Sequence, residues 1–159
     1  MKEEKEKWIE KYIPRKGIVL EVGCGNGEFI REISKKHLET FFLGIDPYIS
    51  FMKEKNLKLL PMGAEEISNL EEEFDLIFTI HSLHHFRNPQ KFFEDASKKL
   101  KKRGRILIWD WDKNAQTGIP ERYFSIEKLS QMAKSGNLEI EISLNFGEEN
   151  LLIAYRSIP

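Results

Sequence analysis

The sequence predicts an α/β protein: a doubly wound, mostly parallel seven-stranded sheet with helices on both faces and a C-terminal antiparallel hairpin strand. Three observations lead there. Short apolar runs alternate with amphipathic stretches along most of the chain, the pattern of strands joined through helices. Glycines crowd the end of the first run, in VLEVGCGNGEF, where a parallel sheet presents its ligand site. The last two apolar runs, LEIEISL and LLIAYR, are separated only by NFGEEN and read as a hairpin.

The elements follow in order. KEEKEKWIEKYI sets Trp8, Ile9, Tyr12 and Ile13 at helical spacing, and Pro14 ends that helix. Ile18–Val22 is the first strand, and Glu28–Leu38 a helix with Phe29, Ile30 and Ile33 on one face. TFFLGID is a buried second strand that stops at Asp46. A helix is expected over Tyr48–Lys55, then a third strand at Leu57–Leu60 and a short polar helix near Glu65–Leu70. Phe74–Ile80 is again a buried strand. Asn88 is a helix cap with Pro89 at the first helical position, and this helix runs through KFFEDASKKL to a stop at Lys101–Gly104. RILIWDW is the next strand, followed by a loop through Gly118-Ile119-Pro120 and a Ser125-capped helix to about Lys134.

Composition bounds the function. A chain of 159 residues is read as one domain, 1–159, with residues 1–13 as an N-terminal helix placed to act as a lid. The net charge of −1 gives no overall attraction to nucleic acid or membrane. A single cysteine excludes an internal disulfide and fits a cytoplasmic setting, and no apolar run is long enough to span a bilayer.

Gly23, Gly25 and Gly27 lie at the carboxyl end of the first strand, and Asp46 at the same end of the second, where an acid takes ribose hydroxyls. The ligand therefore contains a ribose. A dinucleotide site wants G-x-G-x-x-G to seat its pyrophosphate, whereas the spacing here is G-x-G-x-G. Glu21, two residues before the first glycine, would repel a pyrophosphate and suits a ligand carrying an ammonium and a sulfonium. S-adenosylmethionine meets that description better than NAD.

Glu21–Gly27 resembles the first motif of the class I S-adenosylmethionine-dependent methyltransferases, and Gly44-Ile45-Asp46 the second. Phe74–Ile77 with Leu83-His84-His85-Phe86 is similar to the fourth motif, and Leu100–Ile108 to the fifth. Order and spacing resemble the small type 11 subgroup over about residues 17–110. The resemblance implies a Rossmann-like fold and residue roles. The loop at Gly23, Cys24, Gly25 and Gly27 surrounds the methionine part, Glu21 holds its amino group and Asp46 both ribose hydroxyls. Pro47 and Tyr48 flank the adenine. Gly63 stands where the family often has an acid, which leaves Ala64 or Glu65 to read the adenine amino group. Ile80 and His81 line the methyl-donating side.

The acceptor side is read from the residues. His81 is a candidate proton acceptor, since imidazole titrates near neutrality; for His84 and His85 the family resemblance implies packing and hydrogen bonding behind the site. A metal is not expected, because His81, His84 and His85 lack helical i, i+4 spacing and carboxylate partners. Asp110, between Trp109 and Trp111, is a catalytic candidate at the end of its strand. The competing reading is that the two tryptophans cover the sheet, one on each face. Trp8, Tyr12, Trp111 and Tyr123 are the acceptor-pocket candidates. The basic run Lys98–Arg105 falls at the opposite end of the strands and suits a helix C-terminus, so no nucleic-acid partner is expected. The acceptor is an unidentified molecule, small rather than polymeric, and a homodimer is compatible with the chain. The alternative function is a non-catalytic cofactor-binding module that acts through a protein partner.

Overall fold

The computed structural model describes residues 2–157. Eight strands form one sheet: β1 (Gly17–Val22), β2 (Thr40–Ile45), β3 (Met52–Glu54), β4 (Leu57–Leu60), β5 (Phe74–Ile80), β6 (Leu100–Trp111), β7 (Leu138–Asn145) and β8 (Glu149–Arg156). Their order is β3-β4-β2-β1-β5-β6-β8-β7. The β4-β2-β1-β5-β6 block is parallel throughout; β3 at one edge and the β7–β8 hairpin at the other run antiparallel. The doubly wound expectation holds, with eight strands in place of seven.

Helices α1 (Lys2–Lys11) and α2 (Glu28–Ser34) cover one face, and α3 (Pro89–Lys99) and α4 (Ile126–Ser135) the other. Strand periodicity sorts the side chains between them. Val19, Leu107 and Trp109 join Ile9 of α1 and Ile30 and Ile33 of α2 in one core. Leu20, Ile106 and Ile108 meet Phe92, Phe93 and Leu129 of α3 and α4 in the other. Residues 109 and 111 are two apart on β6, so both tryptophans stand on the α1 side and Asp110 on the opposite one. The expectation of one tryptophan per face fails on that periodicity.

Two elements differ from expectation for local reasons. The segment expected as a helix over Tyr48–Lys55 instead forms β3, which pairs Met52 with Leu59 through a turn at Lys55, φ 51°. Helix α2 stops at Ser34 rather than Leu38. There the Asn56 side-chain amide donates to the carbonyls of Ser34, His37 and Thr40 at 2.8–3.0 Å, and the chain turns toward β2. The caps of α3 and α4 are as expected: Asn88 and Ser125 side chains accept from the backbone of Lys91 and Lys128.

This topology gathers one set of ends. Strands β1, β2, β4, β5 and β6 finish at the same edge, and β8, running the other way, begins there at Glu149.

Candidate functional site

The glycine loop leaves β1 and folds over its neighbour. The N–H groups of Gly23 and Cys24 both donate to the Ile45 carbonyl, at 2.8 and 3.0 Å. Gly23 has φ +77°, and a Cβ there would lie 2.6 Å from Cβ of Ser82. Ser82 cannot retreat freely, because its hydroxyl donates toward the Gly23 carbonyl at 3.1 Å and the Ile80 carbonyl at 3.0 Å. Gly23→Ala is therefore expected to lose about 1–3 kcal/mol of stability through strain alone and to weaken ligand binding, as urea unfolding and calorimetry would measure. Unaltered values for both would remove the loop's geometric role.

Two cavities meet at Gly23 and Ser82. One, about 500 Å³, is bounded by Asp46, Pro47, Tyr48, Ala64 and Glu65. The other, about 510 Å³, lies among Glu21, Cys24, Gly25, Phe29, Ile80 and Lys5. Asp46 stands near the junction, with one carboxylate oxygen accepting from Gly25 N at 3.0 Å and the other from Tyr48 N at 2.9 Å. Glu21 is 3% exposed, and its Oε1 is buried with no hydrogen-bond partner. Burial first, and then the charge of Asp46, push its pKa up to about 8. Burial, Glu21 and Asp46 likewise push the Cys24 thiol up to about 12, so Cys24 is a neutral filler and not a nucleophile.

The first cavity also explains the departure at position 63. A Cβ on Gly63 would meet Glu65 Oε1 at 2.6 Å. The carboxylate of Glu65 thus occupies the space into which a side chain at 63 would grow.

Beyond Ile80 the chain passes through His81 at φ +51°, with its N–H donating to the Trp109 carbonyl at 2.7 Å. The imidazole stacks on Trp111, centroids 4.4 Å apart and planes 6° from parallel. Its Nε2 lies 2.6 Å from Glu149 Oε1, which also accepts from Trp109 Nε1 at 3.0 Å and lies 3.7 Å from Lys5 Nζ. Burial works against the charge of Glu149, but the hydrogen bonds from His81 and Trp109 outweigh it and hold the carboxylate below its usual range. For His81 burial prevails over Glu149 and lowers the pKa, leaving a neutral ring.

Asp110 does not face the cleft. It is 2% exposed, and its oxygens accept from the backbone N–H groups of His84 and Trp111 while bracketing His84 Nδ1 at 2.8 and 3.0 Å. Its place on the α3 side makes it a support for His84 rather than a group that touches a substrate. Burial lowers the affinity of His84 for a proton, but Asp110 and Glu121 outweigh it and raise the pKa.

Glu21, Gly23, Cys24, Gly25, Asp46, Pro47, Tyr48, Ala64, Glu65 and Ile80 all reach the paired cavities, with His81 and Trp111 next in line. Gly27 is set back, buried against Leu59 at the start of α2. Tyr12 is not a pocket residue: its hydroxyl donates to Glu141 at 2.7 Å, alongside Arg105 at the amino end of the strands. Trp8 packs on the core beside Ile9 with Lys11 5.2 Å over its ring. Tyr123 is turned inward, edge-on to His84 at 4.8 Å with its hydroxyl 2.7 Å from Thr117. Sequence reasoning named neither Lys5, which lines the second cavity, nor Glu149, which holds His81. The antiparallel direction of the last strand was the available signal for Glu149, because it returns that strand's first residue to the cleft.

A family model described as a methyltransferase domain matches residues 1–143. The chain belongs to the class I S-adenosylmethionine-dependent methyltransferases. The chain is 28% identical over 151 residues to the tRNA U34 carboxymethyltransferase of Psychromonas ingrahamii, an alignment covering 86% of this chain and 45% of that one. It is 27% identical over 132 residues to an uncharacterized protein of Methanocaldococcus jannaschii, covering 81% and 60%. It therefore spans about half the length of the curated relatives it matches. A SAM-dependent methyltransferase of Aquifex aeolicus shares its fold at TM-score 0.75 and 20% identity, with 94% of this chain and 87% of that one covered. The cyclase SpnF superposes at TM-score 0.82 and 12% identity, covering 98% and 82%. Likeness at that level shows the fold alone, since the same frame carries different chemistry. Among the described residues no helix is long and apolar enough to cross a membrane.

Proposed function

We propose that this methyltransferase moves a methyl group from S-adenosylmethionine to a small acceptor, with Glu21 receiving the ammonium group of the cofactor. The observation that carries the reading is the buried, partnerless Glu21 Oε1 beside the glycine loop. A carboxylate so enclosed wants a cationic donor, and the loop around it offers nothing to balance a pyrophosphate. In this reading Asp46 takes the ribose hydroxyls, Pro47 and Tyr48 flank the adenine, and the Glu65 carboxylate accepts from the adenine amino group.

The bound sulfonium supplies an activated methyl group, so the reaction is an in-line displacement that needs no metal. The protein positions the acceptor atom, an effect worth about 7–11 kcal/mol when the geometry is near attack. His81, held by Glu149 through Nε2 and stacked on Trp111, keeps Nδ1 as a proton acceptor for an acceptor group that must lose one. Lys5 and Phe29 wall the methionine side, so α1 acts as part of the pocket as well as of the core.

Calorimetric titration with S-adenosylmethionine, S-adenosylhomocysteine and NAD tests the cofactor; binding of NAD with neither of the others would refute the reading. Glu65→Ala is expected to cost about 1.5–3 kcal/mol of cofactor binding, the range for a hydrogen bond to a charged group. Adding Gly63→Asp to that variant should recover part of the loss. Full affinity in Glu65→Ala, with no further gain from Gly63→Asp, would take the adenine assignment away from this corner.

The names of the curated relatives favour a second reading, a tRNA nucleoside as acceptor. Transfer of labelled methyl to total tRNA, compared with a panel of small nucleophiles, separates the two.

A further inference from the structure

We propose that His84, His85 and Glu121 form a binding site for one divalent transition-metal ion at the rim of the cleft. None of the three residues has a role in the proposed methyl transfer, and the site does not depend on that assignment, although His85 also lines the cavity of Asp46 and Glu65.

The buried half of the site is His84. Its side chain is 3% exposed, and Asp110, equally enclosed, lies 2.8 Å from Nδ1 while also fixing the His84 backbone N–H at 3.1 Å. That contact commits Nδ1 as a donor and turns Nε2 outward, the arrangement in which a carboxylate on the far nitrogen orients a ligating histidine. The atom that Nε2 meets is not a donor. It is Glu121 Oε2, at 2.9 Å. A neutral ring with its proton on Nδ1 would set a lone pair against a carboxylate there, so the contact needs a positive centre.

The next side chain supplies a third ligand. His85 Nε2 lies 3.6 Å from Glu121 Oε1, the two rings are 4.0 Å apart, and one ligand atom from each of the three residues falls within 4.8 Å of the others. Nitrogen and oxygen ligands placed about 2.0–2.2 Å from a tetrahedral ion stand roughly 3.3–3.6 Å from one another. The separations that involve Glu121 are to its two different oxygens: Oε1 stands 3.6 Å from His85 Nε2, at the upper end of that range, and Oε2 stands 2.9 Å from His84 Nε2, closer than an ion between them would hold it. Two imidazoles and one carboxylate are a donor set for zinc, cobalt or nickel rather than for calcium or magnesium, which take oxygen ligands.

The front of the site is open. His85 is 58% exposed and Glu121 28%, which gives an ion a path in and leaves a coordination position for solvent. Tyr123 closes the side with its ring against His84 and its hydroxyl 3.4 Å from Glu121 Oε2. The sequence pattern lacked carboxylate partners because they come from elsewhere in the chain, Asp110 from β6 and Glu121 from the loop after it. An ion here would tie that loop to the 3₁₀ turn at Leu83–His85 and so to the wall of the cleft.

The rival occupant is a proton, with His84 as an imidazolium between two carboxylates. Tag-free, chelator-stripped protein titrated with Co²⁺ and followed by visible absorption distinguishes them. One equivalent should produce a d–d band that Zn²⁺ abolishes. His85→Ala and Glu121→Gln, both at the surface, should each weaken binding at least about tenfold, and Asp110→Asn, which removes the supporting charge, about 10–100-fold. Cys24→Ser, which removes the lone thiol, should leave the band in place. Absence of saturable binding at one equivalent overturns the proposal, as does binding indifferent to both surface substitutions. So does a His84 ring found doubly protonated by NMR in the presence of excess Zn²⁺.

Discussion

At neutral pH, binding of S-adenosylmethionine is expected to release close to one proton, and Glu21→Gln is expected to abolish that release. The same substitution should cost one to two orders of magnitude in affinity, the roughly 1.5–3 kcal/mol of a charge-assisted hydrogen bond. In the free protein Glu21 is enclosed beside Asp46, and its pKa of about 8 keeps it protonated at pH 7. An ammonium group brought against it favours the carboxylate, so the proton leaves as the cofactor enters. Affinity should therefore rise with pH up to about 8, where Glu21 is ionised before binding. The linkage has a counterpart in stability. A carboxyl whose folded pKa is raised contributes stability that is complete below about 4.5 and is lost as pH rises through 8. The ligand-free protein should lose that share over this window, and the cofactor should restore it. Calorimetry in buffers of different ionisation enthalpy counts the protons, and thermal melts across pH read the stability. A pH-independent affinity with no proton released would remove Glu21 from the ammonium site. Adenosine alone gives a control: its binding should be weakened by Asp46→Ala and little affected by Glu21→Gln, because only the first residue is assigned to the ribose in the proposed reading.

The parts of the molecule legible in the sequence were those in which local pattern and tertiary demand coincide. Phe74–Ile80 forms a strand with those bounds because a mostly apolar run suits a strand covered on both faces, and Leu57–Leu60 does so with Lys58 between its leucines. Asn88 and Ser125 cap helices because the chemistry of a cap is contained within four residues. What escaped depends on contacts across the chain. Helix α2 is cut short by the Asn56 amide, 22 residues beyond Ser34, and no helical periodicity in Glu28–Leu38 could announce it. The cavity positions of the glycine loop and Asp46 were legible because loop and acid sit at fixed offsets from strand ends. The acceptor side was not. Tyr12 stands at the right helical spacing for a lid, yet its helix crosses the whole sheet face, so Lys5 reaches the cleft while Tyr12 reaches Glu141 at the other end. Asp110 stands at the expected end of its strand, but the structure puts it on the face that looks away from the cleft, toward His84.

His81→Gln is expected to lower the rate of methyl transfer by about 10²–10⁴-fold for acceptors that must shed a proton, with cofactor affinity unchanged. Three contacts give His81 one available geometry: a backbone bond to Trp109, the stack on Trp111 and the bond from Nε2 to Glu149. Glu149 fixes the tautomer, since a carboxylate held below its usual range accepts the Nε2 proton and leaves Nδ1 with its lone pair. Glu149→Gln should therefore also slow transfer, though less than loss of the ring, because the amide can present its oxygen to Nε2. Burial lowers the His81 pKa from 6.5, so the wild-type rate should hold through neutral pH and fall only on the acid side of that value. The sign for stability is opposite to that of Glu21. A histidine with a depressed folded pKa contributes stability that is present above 6.5 and is lost as pH falls through its folded value. His81→Gln should flatten that acid limb and leave the alkaline loss assigned to Glu21 in place. Acceptors that attack without losing a proton discriminate further: their rates should be nearly insensitive to His81→Gln. An equal loss for both acceptor classes would make His81 a residue that shapes the pocket instead of one that takes the proton.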